Sequence, residues 1–267
     1  MKIGFSYRPA IHAKNLNELL PLVDYVEIMP DIMPDIMSSN EIYLIQDKLS
    51  GKEVGLHSLK TSLGSPEGIQ QENDELYYLM GKFLKAKYYS DHVALSYIDN
   101  HYLTTVRPIA YDERNIRILS ENLKSIMPHY QGNQYLIENI TNHGMLDGSS
   151  LTEGEFFKQV LQKNSSVKML LDLTNAYISA INVGISPREY LKQFPLEKVK
   201  TIHVSGYEYI NNKIQDTHAV SINKTILQLL QFVLQRSSPE FVMLERNFNH
   251  DNADLVAELR LFRQCIK

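Results

Sequence analysis

Short β-branched and apolar runs alternate with longer amphipathic stretches from one end of this chain to the other. Eight such runs stand out, at 2–7, 25–29, 53–58, 88–94, 135–138, 168–172, 200–204 and 241–245. Between them, apolar residues recur at three- and four-residue spacing, as in 72–87 and 112–127, the mark of a helix with one buried face. Eight strands, each followed by a helix at about 33 residues per unit, predict a (β/α)8 TIM barrel formed as one domain over residues 1–267. A doubly wound open sheet is the competitor. It would carry a Gly-rich phosphate loop after the first strand, and MKIGFSYRPA offers none.

A barrel of this kind keeps its chemistry at the carboxyl ends of its strands. Six consecutive predicted strands end in a metal-ligating residue type: His57, His92 (in Ser90-Asp91-His92), Glu138, Asp172, His203 and Glu245. Asn175 follows Asp172 by one helical turn. Asp216 and His218 follow the seventh strand as Asp-Thr-His, and in extended chain two such side chains point the same way. A lone His or Glu at a strand end is usually a satisfied structural residue. Recurrence once per unit is a different matter, because acids converging on one mouth repel and are costly to desolvate unless cations bind them. A solvated polar cleft is the alternative. The expectation is a multinuclear metal centre.

The chain has a single cysteine, Cys265, so a thiolate cluster and an internal disulfide are both excluded and the donors must be nitrogen and oxygen. Such a donor set suits zinc, manganese or iron alike. The net charge of −4 argues against a nucleic-acid partner. No apolar run reaches membrane-spanning length, and the first residues read as a strand rather than a signal peptide, so no membrane partner and a cytoplasmic location are expected. The remaining histidines, His12, His101, His129, His143 and His250, read as loop or helix-surface residues, with His12 nearest the mouth. A duplicated Pro-Asp-Ile-Met at 30–37 forbids regular helix after the second strand. Its methionines are expected to pack on the barrel rim, the alternative being a peptide-contacting surface.

The order His57, His92, Glu138, Asp172-x-x-Asn175, His203, Asp216-x-His218, Glu245 resembles the xylose-isomerase-like barrels that hold three metals, as apurinic endonucleases do. Asn175 stands where their third-site His would be. The words GLHSLKTSLGS (55–65), SDH (90–92), IEN (137–139), LLDLTNAYISAINVG (170–184), IHVSGY (202–207), DTH (216–218) and LERNF (244–248) narrow the likeness. Together they are similar to the multinuclear non-heme iron enzymes that oxidise cysteines in ribosomally synthesised peptides. Within that family, Tyr207 and the run Glu245 to Phe248 resemble the methanobactin branch.

The resemblance implies two to three iron ions, mixed ferrous and ferric, with dioxygen as co-substrate. His57, His92 and Glu138 would hold the first iron. Glu138 would bridge to a second held by Asp172, His203 and Glu245. Asn175, Asp216 and His218 would form a weaker third. Glu27 and Asp31 fall where the family keeps acids near the mouth, and Asp91 would orient His92. Glu138, Asp172 and Arg246 are the expected catalytic residues, Arg246 by steadying the peptide or a developing anion, with a rim salt bridge as its alternative. The implied substrate is a Cys-containing precursor peptide, oxidised to oxazolone and thioamide groups as in copper-chelating methanobactin. The implied partner is methanobactin biosynthesis protein C, in a heterodimer. The rival functions are a metal-dependent abasic-site endonuclease, which should carry His at 175 and a basic rim, and a sugar isomerase, which needs a catalytic Lys–metal pairing not seen here. A non-catalytic iron-binding scaffold for the partner protein is the third.

Overall fold

The computed structural model describes the whole chain except residues 9–11, 13–14, 33–38, 50, 212, 247–251 and 267. Eight parallel strands close into a barrel: β1 (Lys2–Tyr7), β2 (Tyr25–Ile28), β3 (Glu53–Ser58), β4 (Tyr88–His92), β7 (Gln134–Glu138), β8 (Val167–Asp172), β9 (Val199–Val204) and β12 (Phe241–Leu244). Neighbours follow chain order, and β12 closes the ring by pairing with β1 at Lys2↔Phe241 to Phe5↔Leu244. The strands expected from the sequence are these eight, their ends moved by a few residues at most. Helices α1 (Leu16–Leu19), α2 (Ser39–Lys48), α3 (Gln71–Leu84), α4 (Glu113–Ile126), α5 (Glu153–Lys163), α6 (Leu173–Asn182), α7 (Pro187–Leu191), α8 (Lys224–Leu234) and α9 (Asn252–Cys265) fill the connections. Among the described residues no helix is long and apolar enough to cross a membrane.

Two hairpins depart from the plain repeat. The stretch 88–94, expected as one strand, stops at His92. The chain then leaves the barrel as β5 (Ala94–Ile98) and β6 (His101–Pro108). A second hairpin, β10 (Tyr207–Ile210) with β11 (Lys213–Asp216), follows β9. Both belong to the loops at the carboxyl ends of the strands, so they build up the walls of the mouth.

Side chains alternate along each strand, and here the alternation sorts the barrel into layers. Outward residues such as Val26, Ile28, Val54, Leu56, Ile137, Leu171, Ile202 and Leu244 join the buried core shared with the helices. Inward residues form a separate apolar floor of Tyr25, Tyr88, Leu136, Leu170, Phe241 and Met243, none more than 1% exposed. Burying each of these side chains contributes about 1.5–3 kcal/mol. Two rings are admitted only because glycine faces them. A Cβ on Gly55 would lie 2.3 Å from the Tyr88 ring, and one on Gly4 would lie 2.5 Å from Tyr25. Two residues above this floor, on the same inward face, come the polar groups: Glu27 above Tyr25, His57 above Gly55, Glu138 above Leu136, Asp172 above Leu170, His203 above Thr201 and Glu245 above Met243.

Candidate metal centre

The strand-end residues meet under a cavity of about 680 Å³, lined at its base by His57, His92, Glu138, Asp172 and Glu245, with His203 directly beneath. Three overlapping groups bring their donor atoms within 4.8 Å of one another: His57, His92 and Glu138; Glu138, Asp172 and His203; Glu27, His203 and Glu245. Glu138 sits between the first two. Its Oε2 lies 3.2 Å from His57 Nε2 and 3.3 Å from His92 Nε2, while its Oε1 lies 3.3 Å from His203 Nδ1. One carboxylate thus presents a different oxygen to each group.

Hydrogen bonding behind the rings fixes which nitrogen faces the cavity. The Ser90 hydroxyl donates its one proton to the Leu56 carbonyl, so at 2.9 Å from His57 Nδ1 it must accept. His57 Nε2 is then left with a lone pair aimed at Glu138. Burial, reinforced by the neighbouring histidines, holds the His57 pKa well below its usual value, which keeps the ring neutral. His92 Nδ1 faces the Ser58 carbonyl at 3.3 Å, and a carbonyl only accepts. In its neutral form, His92 therefore turns a lone pair toward the same carboxylate oxygen. Lone pairs that converge at 3.2–3.3 Å repel. A cation about 2.0–2.2 Å from each donor would set separations of this size and turn repulsion into ligation.

Further orphaned atoms fit the same reading. Glu27 Oε1, Glu138 Oε2, Asp172 Oδ2 and His203 Nδ1 are buried without a hydrogen bond. Asp172 caps α6, its Oδ1 accepting from the Asn175 N–H at 2.6 Å and its second oxygen left toward the cavity. Burial first, and then the neighbouring Asp216, Glu138 and Glu245, raise the Asp172 pKa well above its usual value. Burial works against charge on His203 and Glu245 too. It is outweighed at His203 by Glu27, Glu138 and Glu245, which raise its pKa, and at Glu245 by His218, His203 and Arg8, which lower it. Oxygen and imidazole donors, buried and short of partners, suit a divalent transition metal.

The remaining residues implied by the resemblance stand around this cluster. Glu27 stands behind His203, its Oε2 3.1 Å from His203 Nε2 and accepting from the Tyr88 hydroxyl at 2.7 Å. That is the position of a carboxylate that orients a ligating histidine. Asp31 is taken up by the loop after β3, accepting from the Ser58 hydroxyl and the Leu59 and Lys60 amides. Asp91 accepts from the His92 and Thr61 backbone amides, leaving the His92 ring to Ser58. Asp216 and His218 do meet, but not as alternate residues of a strand. β11 ends at Asp216, and His218 has φ +51°, so a tight turn brings its Nε2 back onto Asp216 Oδ2. Asn175 lines the cavity with its amide oxygen accepting from Thr141.

Arg246 is the plain correction. Its guanidinium pairs with buried Glu258 at 2.7 Å and with the Ser221 hydroxyl at 2.9 Å, and it does not line the cavity. The salt bridge it makes is buried instead of standing at the rim. Arg8 and Lys60 are the cations that do line the cavity, and at Arg8 Glu245 and Glu27 oppose the lowering of its pKa by burial. No motif marks Arg8, only its place one residue beyond the first strand. His12 packs against Phe5 and Tyr7 instead of facing the mouth, whereas His143 lines the cavity. His129 pairs with Asp74, and His101 opens β6. His250 and most of the 30–37 duplication lie outside the described residues.

Closed parallel barrel, carboxyl-end cluster and nitrogen–oxygen donors define a xylose-isomerase-like TIM barrel. Solved structures agree in fold. A Thermus thermophilus protein soaked with ZnCl2 aligns with a TM-score of 0.67 at 15% identity, over 99% of this chain and 98% of that one. A xylose isomerase-like TIM barrel protein from Mycobacterium smegmatis in complex with magnesium gives 0.65 at 11% identity, over 97% and 89%. The 3-keto-D-glucoside 4-epimerase of E. coli gives 0.63 at 13%, over 99% and 100%.

The particular family follows from the sequence: residues 2–267 match the family of RiPP precursor modification enzymes MbnB/TglH/ChrH, and the chain belongs to it. Among its relatives are a UPF0276 protein of Caulobacter vibrioides, 24% identical over 97% of this chain and 92% of its own length, and one of Acaryochloris marina, 27% identical over 76% and 73%.

Proposed function

We propose that this chain is a single-domain, cytoplasmic, iron- and dioxygen-dependent enzyme that oxidises cysteine in a ribosomally synthesised precursor peptide. The observation that carries the proposal is the divided carboxylate of Glu138, with the Nε2 atoms of His57 and His92 at one oxygen and His203 Nδ1 at the other. That arrangement suits a bridged pair of metal ions better than one ion. Iron, when bound, supplies the redox chemistry with dioxygen that zinc lacks. His57, His92 and Glu138 would hold one ion, and Glu138, Asp172, His203 and Glu245 a second. Asn175, Asp216 and His218 border the cavity where a third, weaker site would lie.

The chain's own groups prepare this site. Ser90 and the Ser58 carbonyl hold the two imidazoles in the tautomer that ligates, and Glu27 does the same for His203. The floor of Tyr25, Tyr88 and Phe241 seals the site from below, which leaves the cavity as the way in for substrate. Arg8 sets a positive charge beside Glu245 and Glu27. The overall reaction in the methanobactin branch removes four electrons and four protons from the peptide, giving oxazolone and thioamide, and reduces dioxygen to two waters. Methanobactin biosynthesis protein C, in a heterodimer, would present the peptide.

The test is direct. Protein purified without oxygen is expected to contain two to three irons per chain. With its partner protein, the precursor peptide and dioxygen, it should yield peptide lighter by four hydrogens. Unchanged peptide mass with iron bound would defeat the oxidation reading.

A further inference from the structure

The β5–β6 hairpin is irregular where it borders the metal cavity. Its register steps from Leu95↔Arg107 to Tyr97↔Tyr102, so the four residues from Leu103 to Val106 stand opposite Ser96 alone. Ser96 is itself turned elsewhere: its N–H and that of Tyr97 both donate to the Ser62 hydroxyl, at 3.0 and 3.2 Å. All four residues of the β6 segment line the cavity, and none is buried. Because strand side chains alternate between faces, four consecutive residues along one cavity wall bring both faces of the segment to it. With no ladder partner on β5 and, among the described residues, no other strand beside β6, its peptide N–H and C=O groups are left without a sheet partner there.

A strand edge without a partner is a template for another strand. The same cavity is lined by Asp216 to His218 and by Glu138, Asp172 and Glu245, so this segment and the metal centre share one space. The occupant follows from the family, whose members modify precursor peptides. We infer that an extended segment of the precursor peptide adds as a further strand along Leu103–Val106, so that main-chain hydrogen bonds set the register in which its cysteine reaches Glu138. The inference rests on the peptide-oxidation reading above and extends it to how the peptide is held. Pairing of this kind reads the peptide's backbone, so it has a period of two: alternate peptide N–H groups point to the edge and the others point away.

The experiment is an N-methyl scan of a fluorescein-labelled, Cys-centred segment of the precursor peptide. Binding to the full chain with its partner protein is read by anisotropy, and oxidation by mass. N-methylation at alternate positions is expected to weaken binding about tenfold, with the positions between them little changed. Thr104→Pro and Thr105→Pro remove adjacent N–H groups, only one of which can face a strand added along the segment, so one is expected to weaken binding about tenfold and the other little. Peptide that is oxidised without this alternation, or equal losses from the two proline variants, overturns the edge inference alone. Alternation in binding without oxidation supports the edge and defeats the iron chemistry. Neither binding nor oxidation overturns both.

Discussion

The floor and the mouth of this barrel are built on the same inward face of the same strands, two residues apart, and they obey opposite rules. The floor is apolar apart from its tyrosine hydroxyls and closed by ring against ring: Tyr25 and Tyr88 lie 4.8 and 5.1 Å from the Phe241 ring. The mouth is made of acids and imidazoles, and there Glu27 Oε1, Glu138 Oε2, Asp172 Oδ2 and His203 Nδ1 are buried without a hydrogen bond. One layer gains free energy by excluding water. The other spends it to hold charge in place. A strand can support both because its side chains repeat every two residues, so a step along the chain changes the layer without changing the face.

That contrast can be broken from either side. The largest effect is expected from Glu138→Gln, which takes one charged oxygen from each group. Metal content should fall, and peptide oxidation should drop at least about a hundredfold, since even outer-shell changes cost 10- to 100-fold. Full activity with full metal content would remove Glu138 from the site. Next comes Gly55→Ala in the floor, which drives a Cβ into the Tyr88 ring. Urea unfolding should show a loss of about 1–3 kcal/mol, with the metal stoichiometry unchanged. Ser90→Ala should weaken metal affinity about tenfold in a chelator competition, because His57 Nδ1–H loses the acceptor that fixes its tautomer.

The smallest effect concerns pH in the metal-free protein. Burial opposes charge on His218, but Asp216 and Glu245 overcome it and raise its pKa from 6.5 to about 10. A histidine raised in the folded state contributes stability that is complete below its unfolded pKa and lost as pH rises through the folded one. The metal-free melting temperature should therefore decline between pH 6.5 and 10. His218→Asn should flatten that decline by about 2–4 °C. A slope of the same size in the variant would show that other groups set it.

The sequence made the eight staves legible because buried parallel strands read as dense apolar runs, and their polar ends recur once per unit. Glu138, Asp172 and His203 could be found that way. The hairpins could not be read so easily: β6 is mostly exposed, and its composition, HYLTTVRP, looks like loop. Its turn did leave a signal, since Asp99 and Asn100 both take positive φ, as a two-residue hairpin loop of the I′ kind requires. Arg8 and Arg246 show the limit. Each lies one residue past a strand or its polar end, yet Arg8 lines the cavity while Arg246 enters a buried pair with Glu258, which helix α9 brings to it from twelve residues on.

The glycine–tyrosine fit below the site carries a consequence for how this protein can drift over generations. Where a ring occupies the room of a missing methyl group, neither position is at liberty alone: bulk at 55 demands something smaller at 88, and the same bond of necessity joins 4 with 25. Such positions would change as couples or not at all, while the loops above them vary singly. The ancestry of the basin is thus written in pairs.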